Sequence, residues 1–253
     1  MISKGRHDSI IKLLDQYEKV EITELSRIHE VSEMTIRRDL SSLEEQGILE
    51  RIKGGAIQIK RLTTEASFEK KKLLMKEEKS AIGKALPQFI ENNDTVFIAG
   101  GTTVLQAAMN LNKLSLRIIS NNPALESIYL DNSNLIILGG EFRHETHCIV
   151  GEQAINMVSQ IFANKAIIGV DGVSIKYGLT NNFSFVEAGL YRKMIEHTHG
   201  KVIVVADHTK IGKVAAFSIA PIENIDILIT TKGFPEEYVD ELAAKGITIV
   251  ISN

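Results

Sequence analysis

Two hydrophobic rhythms divide the chain. Up to Ile59 the apolar positions recur mainly every three or four residues: Ile10, Ile11, Leu14 and Tyr17, then Leu25 and Ile28, then Ile36, Leu40 and Leu43. Such spacing puts each set on one stripe of a helix. It predicts a helix over residues 3–17, a short one capped by Thr23, and a third capped by Ser32. In this third helix Thr35 takes the third position and Gly47 closes the end in the left-handed conformation glycine adopts freely. Residues 48–52 and 56–59 alternate apolar with polar instead. They are separated by Lys53-Gly54-Gly55, which predicts a β-hairpin with positive φ at the glycines. Two helices joined by a tight turn and followed by a hairpin make a winged helix-turn-helix. The third helix turns Met34, Arg38 and Ser41 away from its apolar stripe, with Thr35 and Arg37 on the flanks. That polar face suits an ordinary solvated surface as well as one that reads another molecule.

From Asp94 the rhythm changes. Apolar, β-rich runs stand at residues 95–99, 116–120, 135–138, 165–170, 202–206, 225–230 and 247–251. Helix-like segments separate most of them, at 102–111, 123–130, 152–161, 184–198 and 235–245. The alternation predicts an α/β domain with a mostly parallel sheet covered on both faces. Between the two patterns, residues 60–80 are rich in Lys and Glu and predict a linker running into a helix that Pro87 kinks or ends. The expected division is therefore a winged domain at 1–58, a linker at 59–78 and an effector domain at 79–253.

Charge does not by itself point to nucleic acid. The net charge is −3, and residues 1–60 carry 10 Lys and Arg against 11 Asp and Glu. A DNA face would depend on arrangement: Thr35, Arg37 and Arg38 toward the major groove, with Ser32, Arg51 and Lys53 on phosphates. The single cysteine, Cys148, excludes an intrachain disulfide and a multi-cysteine zinc site. His144 and His147 have no common metal spacing, so no metal is expected. With no signal-peptide core and no apolar run long enough for a bilayer, a soluble cytoplasmic protein is expected.

Ligands of open α/β sheets bind at the carboxyl ends of the strands. Gly100-Gly101-Thr102-Thr103 follows the first strand and opens a helix. It is a credible anion cradle, although a capped turn with Thr102 as N-cap explains it equally. Later strand ends bring Asn121, then Gly140 with Arg143, then Asp171-Gly172 with Thr180, then Lys210. Their convergence, with Glu187 on the helix-like segment at 184–198, implies a small, polyhydroxylated, anionic ligand. Arg143 or Lys210 would serve its phosphate, and Asp171, Asn121 and Glu187 its hydroxyls.

The chain resembles the DeoR family of bacterial sugar-metabolism repressors. Val31-Ser-Glu-Met-Thr-Ile-Arg-Arg-Asp-Leu40 looks like that family's recognition-helix signature, and Gly54-Gly55-Ala56 like its wing. Gly101-Thr102-Thr103, Leu138-Gly139-Gly140, Gly178-Leu-Thr180, Glu187 and Ala206-Asp207 with Lys210 and Gly212 resemble its effector domain, a fold similar to ribose-5-phosphate isomerase. The resemblance implies a regulator of double-stranded operator DNA with a sugar phosphate as effector; no cofactor is expected, and because one winged module covers few base pairs a homo-oligomer, dimer or tetramer, is expected. In the isomerases the segment corresponding to Asp171-Gly172-Val173-Ser174 has a second acid where Ser174 stands. A hydroxyl has no basicity near neutral pH. A regulator is therefore expected, with an aldose–ketose isomerase carrying an accessory N-terminal module as the alternative.

Overall fold

In a computed structural model the chain folds as a winged helix-turn-helix module docked on a parallel α/β domain. The structure describes residues 2–17, 19–58, 60–61, 68–111, 114–129, 134–182 and 184–253. The ends of two expected elements, Ile59 and Leu130, and residues 62–67 of the expected linker lie outside that set. The module runs α1 (Ile2–Tyr17), β1 (Lys19–Glu21), α2 (Ile22–His29), α3 (Glu33–Glu45), β2 (Leu49–Ile52) and β3 (Gly55–Gln58). Ile10, Leu14, Leu25, Ile36, Leu40, Leu43 and Leu49 form its core, as their spacing requires.

Two local expectations change. Thr23 is not the cap of α2. Strand β1 pairs antiparallel with β3 and runs directly into the helix, so Glu21 is the N-cap and the Ile22 N–H goes to the Gly54 carbonyl at 2.8 Å. In the hairpin only Gly54 takes positive φ, at 87°. Gly55 lies in the central strand of the sheet order β1-β3-β2, where a Cβ would sit 2.0 Å from the Val20 carbonyl oxygen. It is a glycine because neighbouring backbone leaves no room.

The segment expected as a linker is structured where it is described. Strand β4 (Lys60–Arg61) pairs with the larger domain, and α4 (Phe68–Leu73) and α5 (Lys76–Ala85) pack on it. A 3-10 turn carrying Pro87 ends α5. The larger domain continues with β5 (Thr95–Ile98), α6 (Thr102–Ala108), β6 (Arg117–Ser120), β7 (Asn134–Ile137), β8 (Glu141–Arg143), β9 (Cys148–Val150) and α7 (Glu152–Val158). It is completed by β10 (Ala163–Gly169), β11 (Gly172–Ser174), β12 (Gly178–Asn181), α8 (Phe185–Glu196), β13 (Thr198–Val205), β14 (Lys213–Val214), β15 (Phe217–Ala220), β16 (Ile227–Thr231), α9 (Glu237–Ala244) and β17 (Thr248–Ser252).

All seven expected strands form one parallel sheet, in the order β17-β16-β13-β10-β5-β6-β7. Its two faces make two cores. Val96, Ile98, Ile167 and Ile203 pack with α5 and α6, whereas Phe97, Ile168, Val204 and Leu228 pack with α7, α8 and α9. Burial on both faces is why these strands read as nearly continuous apolar runs. The helix expected over 123–130 is only a short 3-10 turn, Pro123–Leu125. The Asn122 side chain takes the Ala124 N–H at 3.1 Å and closes a tight turn there instead. Residues 178–181, expected as a strand-end loop, form the centre of a small antiparallel sheet, β11-β12-β15. Among the described residues no helix is long and apolar enough to cross a membrane.

Candidate functional site

Helix α3 is set by its cap and by one buried carboxylate. The Ser32 hydroxyl accepts from the Thr35 N–H at 3.2 Å and lies 3.0 Å from the Thr35 hydroxyl. Asp39, 6% exposed, receives Arg6 and His7 from α1. Burial works to raise the Asp39 carboxyl pKa, but the bonds from Arg6 and His7 outweigh it and hold the group below the usual carboxylate range. The helix thus pins one face to α1 and leaves Met34, Arg37 and Arg38 exposed. Arg37 is paired with Glu33 at 3.6 Å, and Arg38 projects with no partner among the described residues.

The wing is placed differently from the expectation of two free phosphate contacts. The Arg51 guanidinium donates to the Ser41 hydroxyl at 2.7 Å and the Arg51 backbone N–H to the Glu44 carboxylate at 3.1 Å, tying β2 to α3. Lys53 at the hairpin tip lies 2.8 Å from Asp240 of α9. It is largely exposed, so this pair is easily screened. Lys53→Ala is expected to weaken binding to related and unrelated DNA alike and to flatten the salt dependence, measured as the slope of log affinity against log salt.

A cavity of about 140 Å³ opens where the sheet changes direction. The chain leaves β5 toward one edge and β10 toward the other, and the crevice between two such strands is the usual ligand site of an open α/β sheet. Gly100, Gly101, Thr102 and Thr103 line it from the end of β5, Asp171 from the end of β10, and Asp207, Thr209 and Lys210 from the end of β13. The fourth wall comes from α4, α5 and the loop after β8: Phe68, Lys71, Lys79, Glu145 and Thr146. Lys71 donates to both Asp171 carboxylate oxygens, at 2.8 and 3.1 Å. Lys79 is buried and donates to the carbonyls of Lys71 and Leu74. Asp207 receives the N–H and hydroxyl of Thr209. Three ammonium groups, three carboxylates and three threonine hydroxyls besides Thr146 therefore face one small space, enough to hold an anion and several hydroxyls together.

A family model described as the DeoR-like helix-turn-helix domain matches residues 6–61, and one described as the DeoR C-terminal sensor domain matches residues 74–232. The chain belongs to the DeoR family. It is 33% identical over 250 residues to the HTH-type transcriptional regulator GolR of Listeria innocua, covering 98% of each chain. It is 35% identical over 234 residues to the lactose phosphotransferase system repressor of Staphylococcus epidermidis, covering 89% of this chain and 90% of that one. Among solved structures, ribose 5-phosphate isomerase from Methanocaldococcus jannaschii aligns with a TM-score of 0.38 and 12% identity over 53% of each chain. A likeness of that extent says nothing about chemistry.

Within the DeoR sensor domain, six of the residues expected at the effector site meet at the cavity: Gly100, Gly101, Thr102, Thr103, Asp171 and Lys210. Thr102 is the first residue of α6 rather than its cap, which is Gly101 at φ 109°. A Cβ on Gly100 would lie 2.2 Å from the Cys148 sulfur, so close packing accounts for this glycine. Glu187 and Arg143 stand one layer behind, 3.8 Å apart. Glu187 is fully buried and receives the Tyr191 hydroxyl at 2.6 Å and the hydroxyl of Thr146, a cavity residue, at 3.2 Å. Asn121 is buried nearby and donates to the Ile149 carbonyl at 3.1 Å.

Gly140, Gly172 and Thr180 do not line the cavity. Gly140 takes φ 147° against the Val150 carbonyl. A Cβ on Gly172 would meet the Lys213 carbonyl at 2.4 Å, and the Thr180 hydroxyl accepts from the Ala215 N–H at 2.9 Å. Gly172 and Thr180 hold the small sheet together, and Gly140 lets the chain pass close to β9. His144 and His147 join an aromatic cluster, His147 stacking on Phe68 at 4.6 Å and so fastening α4 over the cavity.

Phe68, Lys71, Lys79, Glu145, Thr146 and Thr209 are cavity residues that the sequence did not single out, and the two lysines matter most for an anion. A signal for Lys79 exists: with Ile82 and Gly83 it lies on the buried stripe of α5, an ammonium on the buried face. Burial depresses its pKa to about 8, the nearby Asp207 partly offsetting the loss. An anion beside it would restore the charge. Anion binding is therefore expected to weaken as pH rises through about 8 and to take up protons near that pH, read by calorimetry in buffers of different ionisation enthalpy. An affinity independent of pH between 7 and 9 would remove Lys79 from the anion site.

Proposed function

We propose that this DeoR-family regulator represses a carbohydrate-utilisation operon, and that a phosphorylated sugar bound in the cavity modulates its hold on operator DNA. The observation that carries the reading is the cavity at the switch point of the sheet. Lys71, Lys79 and Lys210 stand there beside Asp171, Asp207 and the hydroxyls of Thr102 and Thr103. Ammonium groups serve a phosphate, and carboxylates accept from sugar hydroxyls. The relation to the lactose phosphotransferase system repressor, matched over most of both chains, supports both repression and a carbohydrate pathway.

On the DNA side, α3 presents Arg38, Arg37 and Thr35 to the major groove, with Ser32 and Lys53 on phosphates. One winged module covers few base pairs, so a homo-oligomer reading repeated or inverted half-sites fits best. Ligand-controlled binding in the cytoplasm, with no turnover of the sugar, completes the reading. Ser174 supports the absence of turnover, because its hydroxyl is engaged with Glu50 and lies outside the cavity.

The test is a thermal-shift screen of phosphorylated sugars followed by gel-shift titration with those that stabilise the protein. A ligand that raises the melting temperature is expected to change operator affinity several-fold. Should every stabilising ligand leave operator affinity as it was, the switch is wrong even if the site is right.

A further inference from the structure

The wing carries a buried carboxylate whose partners all belong to the other domain. Glu50 on β2 is 1% exposed. It accepts from the Ser174 hydroxyl at 2.9 Å, the Lys176 N–H at 3.0 Å and the Tyr238 hydroxyl at 3.2 Å. Ionising a carboxylate out of water is costly unless donors surround it, and burial still pushes Glu50 above the usual carboxylate range. Ile52 and Ile57, flanking it on β2 and β3, pack into the core of the effector domain. At the rim, Lys176 reaches the Glu44 carbonyl and Lys53 reaches Asp240.

Alternation along β2 divides its side chains. Glu50 and Ile52 face the effector domain, while Leu49 enters the winged core and Arg51 bonds Ser41 on α3. The other end of the connection is the cavity. Asp171, ion-paired to Lys71 there, directly precedes β11, and Ser174 is the last residue of that three-residue strand.

We propose that Glu50, Ser174 and Tyr238 form an interdomain clasp that sets the orientation of the recognition helix, and that strand β11 carries changes at Asp171 to it. A shift of β11 at Asp171 displaces the Ser174 hydroxyl. The Glu50 carboxylate then loses a donor, β2 loosens, and α3 goes with β2 through Arg51. Opening also frees the Lys53 ammonium from Asp240 for a phosphate. The clasp itself stands on the contacts alone, and only its link to a ligand rests on the proposed effector site.

Two experiments test it, neither needing the effector. Ser174→Asp puts a second carboxylate against Glu50 and is expected to open the domains, raising the radius of gyration in small-angle scattering and speeding amide exchange in β2. Adding Glu50→Gln, whose amide can donate to the new carboxylate, is expected to restore both. Unchanged scattering and exchange in Ser174→Asp would overturn the clasp. So would opening that Glu50→Gln does not reverse, which would place the damage within the effector domain.

Lys71→Met, which removes the ion-pair partner of Asp171 but keeps the Asn182 N–H on its carboxylate, is expected to speed exchange of the Lys176 and β2 amides at least several-fold. Exchange changes confined to α4 and residues 180–182 would overturn the role of β11 and leave the sugar-phosphate reading untouched.

Discussion

Replacing Arg38 with alanine is expected to weaken binding to the preferred operator by about 1–3 kcal/mol, roughly 5- to 150-fold, while binding to unrelated DNA falls much less. The physical reason is the rigidity behind the side chain. Ile36, Leu40 and Leu43 are fully buried, or within 1% of it, under α3, and Asp39 fastens the same helix to Arg6. Arg38 therefore projects from a fixed base and can meet a guanine edge with both ends of its guanidinium. Arg37 is a useful contrast, because its guanidinium is paired with Glu33. Arg37→Ala should cost less specificity for that reason. The measurement is fluorescence anisotropy on a site selected from random DNA with the unaltered protein. Equal losses on selected and unrelated DNA would move Arg38 from base reading to backbone contact.

Asp39→Ala should destabilise the winged module by about 2–3 kcal/mol, the scale of charge-assisted bonds whose surviving partner is left poorly solvated. The carboxylate holds α1 against α3, and its loss strands the Arg6 guanidinium, whose side chain is only 11% exposed. The sign with pH follows from the lowered pKa of Asp39. Its contribution is complete above the ordinary carboxyl value of 3.8 and is lost as pH falls through the still lower folded value. Asp39→Asn, with shape kept and charge removed, should therefore cost stability at pH 7 and progressively less toward pH 3. Urea melts followed by circular dichroism read the difference. A gap between Asp39→Asn and the unaltered protein that widens on acidification would contradict the charge argument.

Helix α3 of the winged module was largely legible in the sequence because its determinants are local. Ser32 caps within one turn, Gly47 closes with φ 70°, and the apolar stripe needs nothing beyond eight residues to be seen. The seven parallel strands were legible for a related reason, since the five inner ones are buried on both faces along most of their length and so carry apolar runs, and the edge strands β7 and β17, only partly covered, are still rich in Ile, Leu and Val. Strand β1 was not. Three residues, Lys19-Val20-Glu21, carry too little pattern, and they are extended because β3 lies beside them. The cavity was legible by halves. Strand-end residues announce themselves as Gly, Thr, Asp and Lys at predictable places, whereas Lys71 and Lys79 belong to a charge-rich segment that any solvated helix could resemble.

The hydrophobic rhythm and the turn chemistry of the sequence by themselves determined a winged module, a parallel α/β domain and the strand ends at which a ligand would sit. Periodicity and glycine conformation are properties of short stretches, and a short stretch reports them without help. Tertiary structure alone decided that Lys71 and Lys79 close the cavity and that Gly172 and Thr180 serve packing. It also decided that Glu50, an unremarked polar residue of a wing strand, is buried against Ser174 and Tyr238, 124 and 188 residues away. Burial and pairing across such separations depend on which surfaces meet, and no pattern within either segment encodes the other.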